Sequence, residues 1–290
     1  MNMFKHLSIF LLIVSFSSCQ SQKTEREIED DFVKKYAPSN LNTHGFTLPV
    51  DSKVSEVHQL FNDLSKNFYF YGDKEKFEEK AAKIMKLDPN YPSGFLMGGF
   101  YEQDPEKYKE KVTKAFELSK ATTLKSERDI MQAEYYLLVK EDYSKAQEYF
   151  QKVVDMYPDS AAAVWSLGMA YYYNSEFDKA LECYKKSTEL IPNLPKGYEF
   201  MSVMYYAKKD YKKALKYLEK AIQYGANAKN DFYYAEYVAM VYNRNKMYKK
   251  TKDYIETVST YGELYKNSEM LGKISEIVTA KLDSIQSSKL

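Results

Sequence analysis

The sequence predicts an all-α protein, a right-handed superhelical solenoid of antiparallel helix pairs with a C-terminal capping helix, on three observations. Breakers are scarce, since 290 residues hold only 10 Gly and 8 Pro, too few for the turns of a strand-built domain. A short motif recurs at steps of 34, 34 and 37 residues, in Tyr143-Ser144-Lys145-Ala146, Phe177-Asp178-Lys179-Ala180, Tyr211-Lys212-Lys213-Ala214 and Tyr248-Lys249-Lys250-Thr251. Around it apolar residues keep helical spacing: Val164, Leu167, Gly168 and Tyr171 stand at i, i+3, i+4 and i+7 and form one stripe. A helix pair has two faces to cover and cannot cover both alone, so such units stack.

Composition narrows the function classes. Lys and Arg number 42 against 41 Asp and Glu, interleaved without long blocks of one sign, which gives no footprint for nucleic acid. An apolar share of 44% supports a continuous core along most of the chain. The two cysteines, Cys19 and Cys183, offer no disulfide framework once the first is assigned to lipid. Stability must come from packing.

Read from the start, residues 1–18 form a targeting segment. Lys5 and His6 precede Leu7 to Phe16, in which only Ser8 and Ser15 are polar. As a helix this run spans about 15 Å, half of a bilayer's hydrocarbon thickness, which fits a signal-peptide core and not a membrane span. The sequence Phe16-Ser17-Ser18-Cys19 resembles the lipobox of bacterial lipoproteins, with Phe16 where that family usually has Leu or another aliphatic residue. The resemblance implies acylation of Cys19, cleavage before it, and a lipoprotein of the bacterial cell envelope held at the outer membrane, with the periplasmic or surface face left open. Residues 19–52 then read as a tether. The acidic cluster Glu25, Glu27, Glu29, Asp30 and Asp31, compatible with a short helix up to Tyr36, is followed by the loop signals Pro38-Ser39-Asn40, Gly45 and Pro49.

The repeats fill the rest. The stretch from Ala161 to Leu194, with Val164, Leu167, Gly168, Tyr171, Phe177, Ala180, Tyr184 and Pro192, resembles the tetratricopeptide repeat in both period and pattern. The next unit keeps Tyr198, Met201, Tyr205, Tyr211 and Ala214 and lacks the closing Pro, while the preceding one carries Glu134 where the family has Gly. Residues 127–265 therefore form the array, residues 53–126 degenerate repeats of the same kind, and residues 266–290 a capping helix with the stripe Leu271, Ile274, Ile277, Val278 and Leu282. Gly168 and Ala180 are small so that two helices can approach, and Pro192 with Pro195 stops the second helix.

No catalytic arrangement is visible, and neither a cofactor nor a metal site is expected. His44 and His58 stand fourteen residues apart without a nearby cysteine, the Gly98-Gly99 pair builds no phosphate loop, and Cys183 reads as an inert thiol. The family resemblance places ligand contacts on first helices, one residue past the core stripe. Here that stripe collects Met131, Tyr135, Trp165, Met169, Tyr172, Tyr206, Tyr233 and Met240, with Arg128, Lys196, Glu199, Glu236 and Arg244 at its edges. Trp165 stands one residue late relative to the family's usual aromatic, so core and groove both remain open for it. The expectation is a membrane-anchored scaffold, not an enzyme, binding a protein or peptide of the envelope in its concave groove. The alternative is a solute-binding lipoprotein that captures glycans or peptides by aromatic stacking.

Overall fold

The computed structural model describes residues 23–39, 48–100, 102, 104–229 and 231–288; the signal segment, Cys19 and His44 lie outside them. Among the described residues every regular element is helical. Six antiparallel pairs follow one another: α2 (Ser55–Tyr69) with α3 (Lys74–Leu87), α4 (Pro92–Gly98) with α5 (Pro105–Ser119), α6 (Lys125–Leu138) with α7 (Tyr143–Met156), α8 (Ala161–Tyr173) with α9 (Phe177–Leu190), α10 (Pro195–Ala207) with α11 (Tyr211–Gln223), and α12 (Phe232–Arg244) with α13 (Tyr248–Val258). A short α1 (Glu25–Tyr36) precedes them; a 3₁₀ turn, α14 (Glu263–Lys266) and α15 (Glu269–Ser287) close the array. The right-handed solenoid expected from the repeat is the fold observed.

The recurring motif opens α7, α9, α11 and α13, and its small residue is the contact point. Ala146, Ala180 and Ala214 are fully buried, as is Thr251 at the equivalent place in the last pair. A methyl group on Gly168 would lie 2.8 Å from Cε1 of Tyr184 and 3.1 Å from Cβ of Cys183, so α8 and α9 touch where the side chain is missing. Helix starts use their own side chains or proline: Asp142, Ser160, Asp210 and Asp231 accept backbone N–H bonds, and Pro92, Pro105 and Pro195 occupy first positions.

The turns inside the pairs share one device. Glu141, Ser175, Lys209 and Lys246 have φ of 53°, 60°, 62° and 60°, at the same spacing as the sequence motif. Each is followed by a residue whose N–H reaches back into the first helix, as Glu176 N to Tyr171 O and Asp210 N to Tyr205 O, both 2.9 Å, the reversal that ends many helices. None of the four is glycine, so each carries a left-handed conformation that side chains disfavour. Lys209→Gly is expected to raise stability by about 0.5 to 1 kcal/mol, read as a higher urea midpoint.

Three regions depart from the sequence reading. First, α1 is not a solvated linker. It has a Thr24–Glu27 capping box, and Glu29, 1% exposed, accepts from Ser126 N–H (2.8 Å), the Ser126 hydroxyl and Tyr157 OH (2.7 Å). Because α6 starts at Leu124 without a side-chain cap of its own, Glu29 supplies that cap from outside. Arg26 adds a two-pronged bond to Asp159 at 2.9 and 3.0 Å. Second, α4 ends at Gly98 after seven residues, a truncated first helix. Third, Ile277 is 51% exposed: Leu271, Ile274, Val278 and the packed Leu282 share a face of α15, and Ile277, six residues after Leu271, turns away from it.

Candidate partner-binding face

The proposed contact residues lie on the first helices α6, α8, α10 and α12 and divide there into three groups. Met131 is 1% exposed and Trp165 8%; both are packed in. For Met131 the reason is local, since α6 is covered by α4, α5 and α7, so its second stripe is buried as well. Met169, Tyr172, Tyr206 and Met240 are half-buried against the C-terminal core. Tyr135, stacked on Phe116 at 4.2 Å, and Tyr233, 80% exposed, stand apart at the two ends.

Phe200, which the stripe rule missed, joins the middle group. Its ring is 5.2 Å from Trp165 and 6.4 Å from Tyr172. Tyr206 lies 5.8 Å from Tyr237, and the Tyr206 hydroxyl bonds Arg244. Tyr172, Phe200, Tyr206 and Tyr237 thus spread along three successive first helices.

Trp165 is covered by the tip of the α2–α3 hairpin. The rings of Phe68 and Tyr69 meet it edge-on at 5.6 and 5.5 Å. Two residues further on, Tyr71 adopts φ of 56° and reaches the array's far half. It packs on Tyr234 at 5.3 Å, donates its hydroxyl to Glu199, and lies under the ammonium of Lys196 at 4.1 Å. Lys196 in turn pairs with Glu199 at 3.1 Å and Asp231 at 3.2 Å. Burial works against the charge on Lys196, but the two carboxylates outweigh it and hold the ammonium above its ordinary range. Burial raises Glu199 despite Lys196. The edge residues Lys196 and Glu199 are therefore a buried clamp that fastens the N-terminal hairpin to α10 and α12. The signal for this in the sequence is the run Phe68-Tyr69-Phe70-Tyr71 at a helix end, where a polar turn is the norm.

The remaining candidates carry no catalytic geometry. His58 is buried, bonded through Nε2 to Ser52 O at 2.8 Å, and lowered by burial. Burial pushes the Cys183 thiol up to about 12, far from a reactive thiolate. Among the described residues no group of His, Cys, Asp or Glu could hold a metal ion, and no helix is long and apolar enough to cross a membrane.

An inner face of this kind on stacked helix pairs defines a helical-repeat interaction scaffold. Residues 135–195 and 195–224 match models described as the tetratricopeptide repeat; this stretch of the chain carries tetratricopeptide repeats, which generally serve to hold other proteins. Solved structures similar to it include MamA (24% identity, covering 56% of this chain and 93% of that one, TM-score 0.33). Others are the APC/C heterotetramer Cut9–Hcn1 (12%, 88% and 45%, 0.50) and PilW, a type IV pilus biogenesis factor (13%, 76% and 98%, 0.48). At these identities the likeness concerns the fold. No curated protein matches the sequence.

Proposed function

We propose that this protein is a lipid-anchored scaffold of the bacterial envelope that holds a protein or peptide segment against its inner face, across α8, α10 and α12. The observation that carries the reading is the run of half-buried aromatic side chains, Tyr172 and Tyr206 above all, which remain partly open while Trp165 is covered. Tyrosine offers a wide apolar surface with a polar handle at low entropic cost, the usual anchor of recognition. The partner is to be found by crosslinking in intact cells followed by capture of the scaffold. Tyr172→Ala with Tyr206→Ala is expected to weaken that capture by at least about tenfold, or 1.4 kcal/mol. Both side chains also touch the core, so a modest fall in melting temperature accompanies the loss; full capture by the folded double variant would refute the site.

Anchoring rests on Cys19 and is tested separately. Cells fed a labelled fatty acid are expected to label the protein and to retain it in the membrane fraction, and Cys19→Ala is expected to abolish both. Label that survives in the alanine variant rules out the anchor.

A further inference from the structure

Between the N-terminal hairpins and the helices α6 and α8 lies a cavity of about 120 Å³. Six residues of its wall are aromatic: Phe61, Phe68 and Tyr69 come from α2, Tyr108 from α5, Trp165 from α8, and Phe100 follows α4. Two carboxylates, Glu127 and Glu134, enter from α6, seven residues apart and so on one face of that helix. Among the described residues no Lys, Arg or His lines the cavity. Behind the wall, the Lys196 ammonium sits 5.7 Å from the Phe68 ring and is already held by Glu199 and Asp231.

Trp165 supplies an independent sign. Its side chain is 8% exposed and its buried indole N–H has no acceptor among the described residues, whereas buried indole donors ordinarily find one. Glu127 receives only uncharged donors, the N–H and hydroxyl of Ser93 at 3.2 and 2.6 Å.

We propose that this cavity binds a small organic cation, a quaternary alkylammonium that carries a hydroxyl group. Aromatic faces attract such a cation, and more strongly when water is excluded. The carboxylates provide the counter-charge that the lining otherwise lacks, and the ligand's hydroxyl oxygen gives the Trp165 N–H its acceptor. An engineered cavity of about 150 Å³ takes up benzene, so the smaller volume here holds a guest of about six heavy atoms or fewer unchanged, and choline, with seven, fills it only with a small shift of the lining. Phe100, 38% exposed, marks the side on which the cavity meets solvent.

The proton balance follows from the same geometry. Burial alone pushes Glu134 up to about 7. Burial also pushes Glu127 up to about 8, with the Ser93 bonds opposing and the negative Asp51 and Glu29 adding to it. The other titratable groups near Glu134 are Tyr69 on α2, Tyr108 on α5 and Tyr173 on α8, all raised by burial and neutral. A cation favours the ionised carboxylates, so it enters by displacing protons, and its binding strengthens as pH rises from about 6 to about 8.

The chain contains one tryptophan, so selective tryptophan emission reports on the cavity wall. Choline titrated into the full chain is expected to change that emission saturably with one site and to raise the melting temperature. The neutral alcohol in which carbon replaces choline's nitrogen is expected to bind at least about tenfold more weakly. Glu134→Gln is expected to reduce choline affinity by about tenfold and to flatten its pH dependence. Should that variant misfold, Trp165→Phe, followed by melting temperature, must weaken choline binding. Equal binding of choline and its neutral counterpart would make the cavity a simple apolar void and overturn the proposal. So would the absence of any change in emission or melting temperature up to about 10 mM choline.

Discussion

Lys196→Met is expected to lower stability by about 3 to 5 kcal/mol, the range for removing one partner of a buried charge cluster. The methionine fits the space but leaves Glu199 and Asp231, both beside the lost ammonium, without a counter-charge. It also removes the cation that lies over the Tyr71 ring at 4.1 Å. Protonating one of the two carboxylates relieves the repulsion, so the folded variant binds protons more readily than its unfolded chain and the deficit shrinks as pH falls. Urea unfolding at two pH values checks the size and the sign. Hydrogen exchange adds the location, since amides of residues 68–73 should exchange faster while those of α9 and α11 change less. A loss below about 1 kcal/mol would mean that the hairpin is held by its aromatic contacts alone.

Ala180→Trp is expected to cost about 3 kcal/mol or more, because the site offers no exposure and the adjoining helices already touch at Gly168. Overpacking of a close crossing forces either side chains off their rotamers or the helices apart. In a stacked array the shift is passed to the next pair, so the unfolding transition should broaden as well as move. Lys185→Trp, on the exposed side of the same helix, serves as the control and should leave the midpoint nearly unchanged. Equal behaviour of the two variants would mean that the helical register is misassigned.

The array was legible in the sequence because its determinants are local. The small residue at Ala146, Ala180 and Ala214, the turn that follows each first helix and the proline that opens α10 all act within one repeat. What escaped notice depends on partners far along the chain. Nothing near Glu29 reveals that its carboxylate caps a helix 97 residues later, so the sequence alone gives this stretch only as part of a tether. Tyr71 meets Glu199 across 128 residues, and periodicity carries no information about such closures. Trp165 illustrates the same limit at the candidate site: its position along α8 permitted either core or groove, and the outcome was decided by Phe68 and Tyr69 from another repeat. The rule of one residue past the core stripe gives partly open side chains at Tyr172 and Tyr206. It failed for Met131, where neighbouring helices cover a second stripe.

On the proposed anchor at Cys19, the docking of α1 would set how far the body can stand from a bilayer. With lipid on Cys19, only residues 20–24 separate the anchor from the first helical turn, a leash of at most about 18 Å when fully extended. A free linker up to residue 52 would have allowed a reach several times longer. Arg26 and Glu29 fix α1 to the edge formed by Ser126, Tyr157 and Asp159, so a lipid on Cys19 would keep that edge toward the headgroups and restrict free tumbling. A partner embedded in the same leaflet then meets the scaffold at high local concentration, whereas one arriving from solution must approach from the side turned away from the membrane.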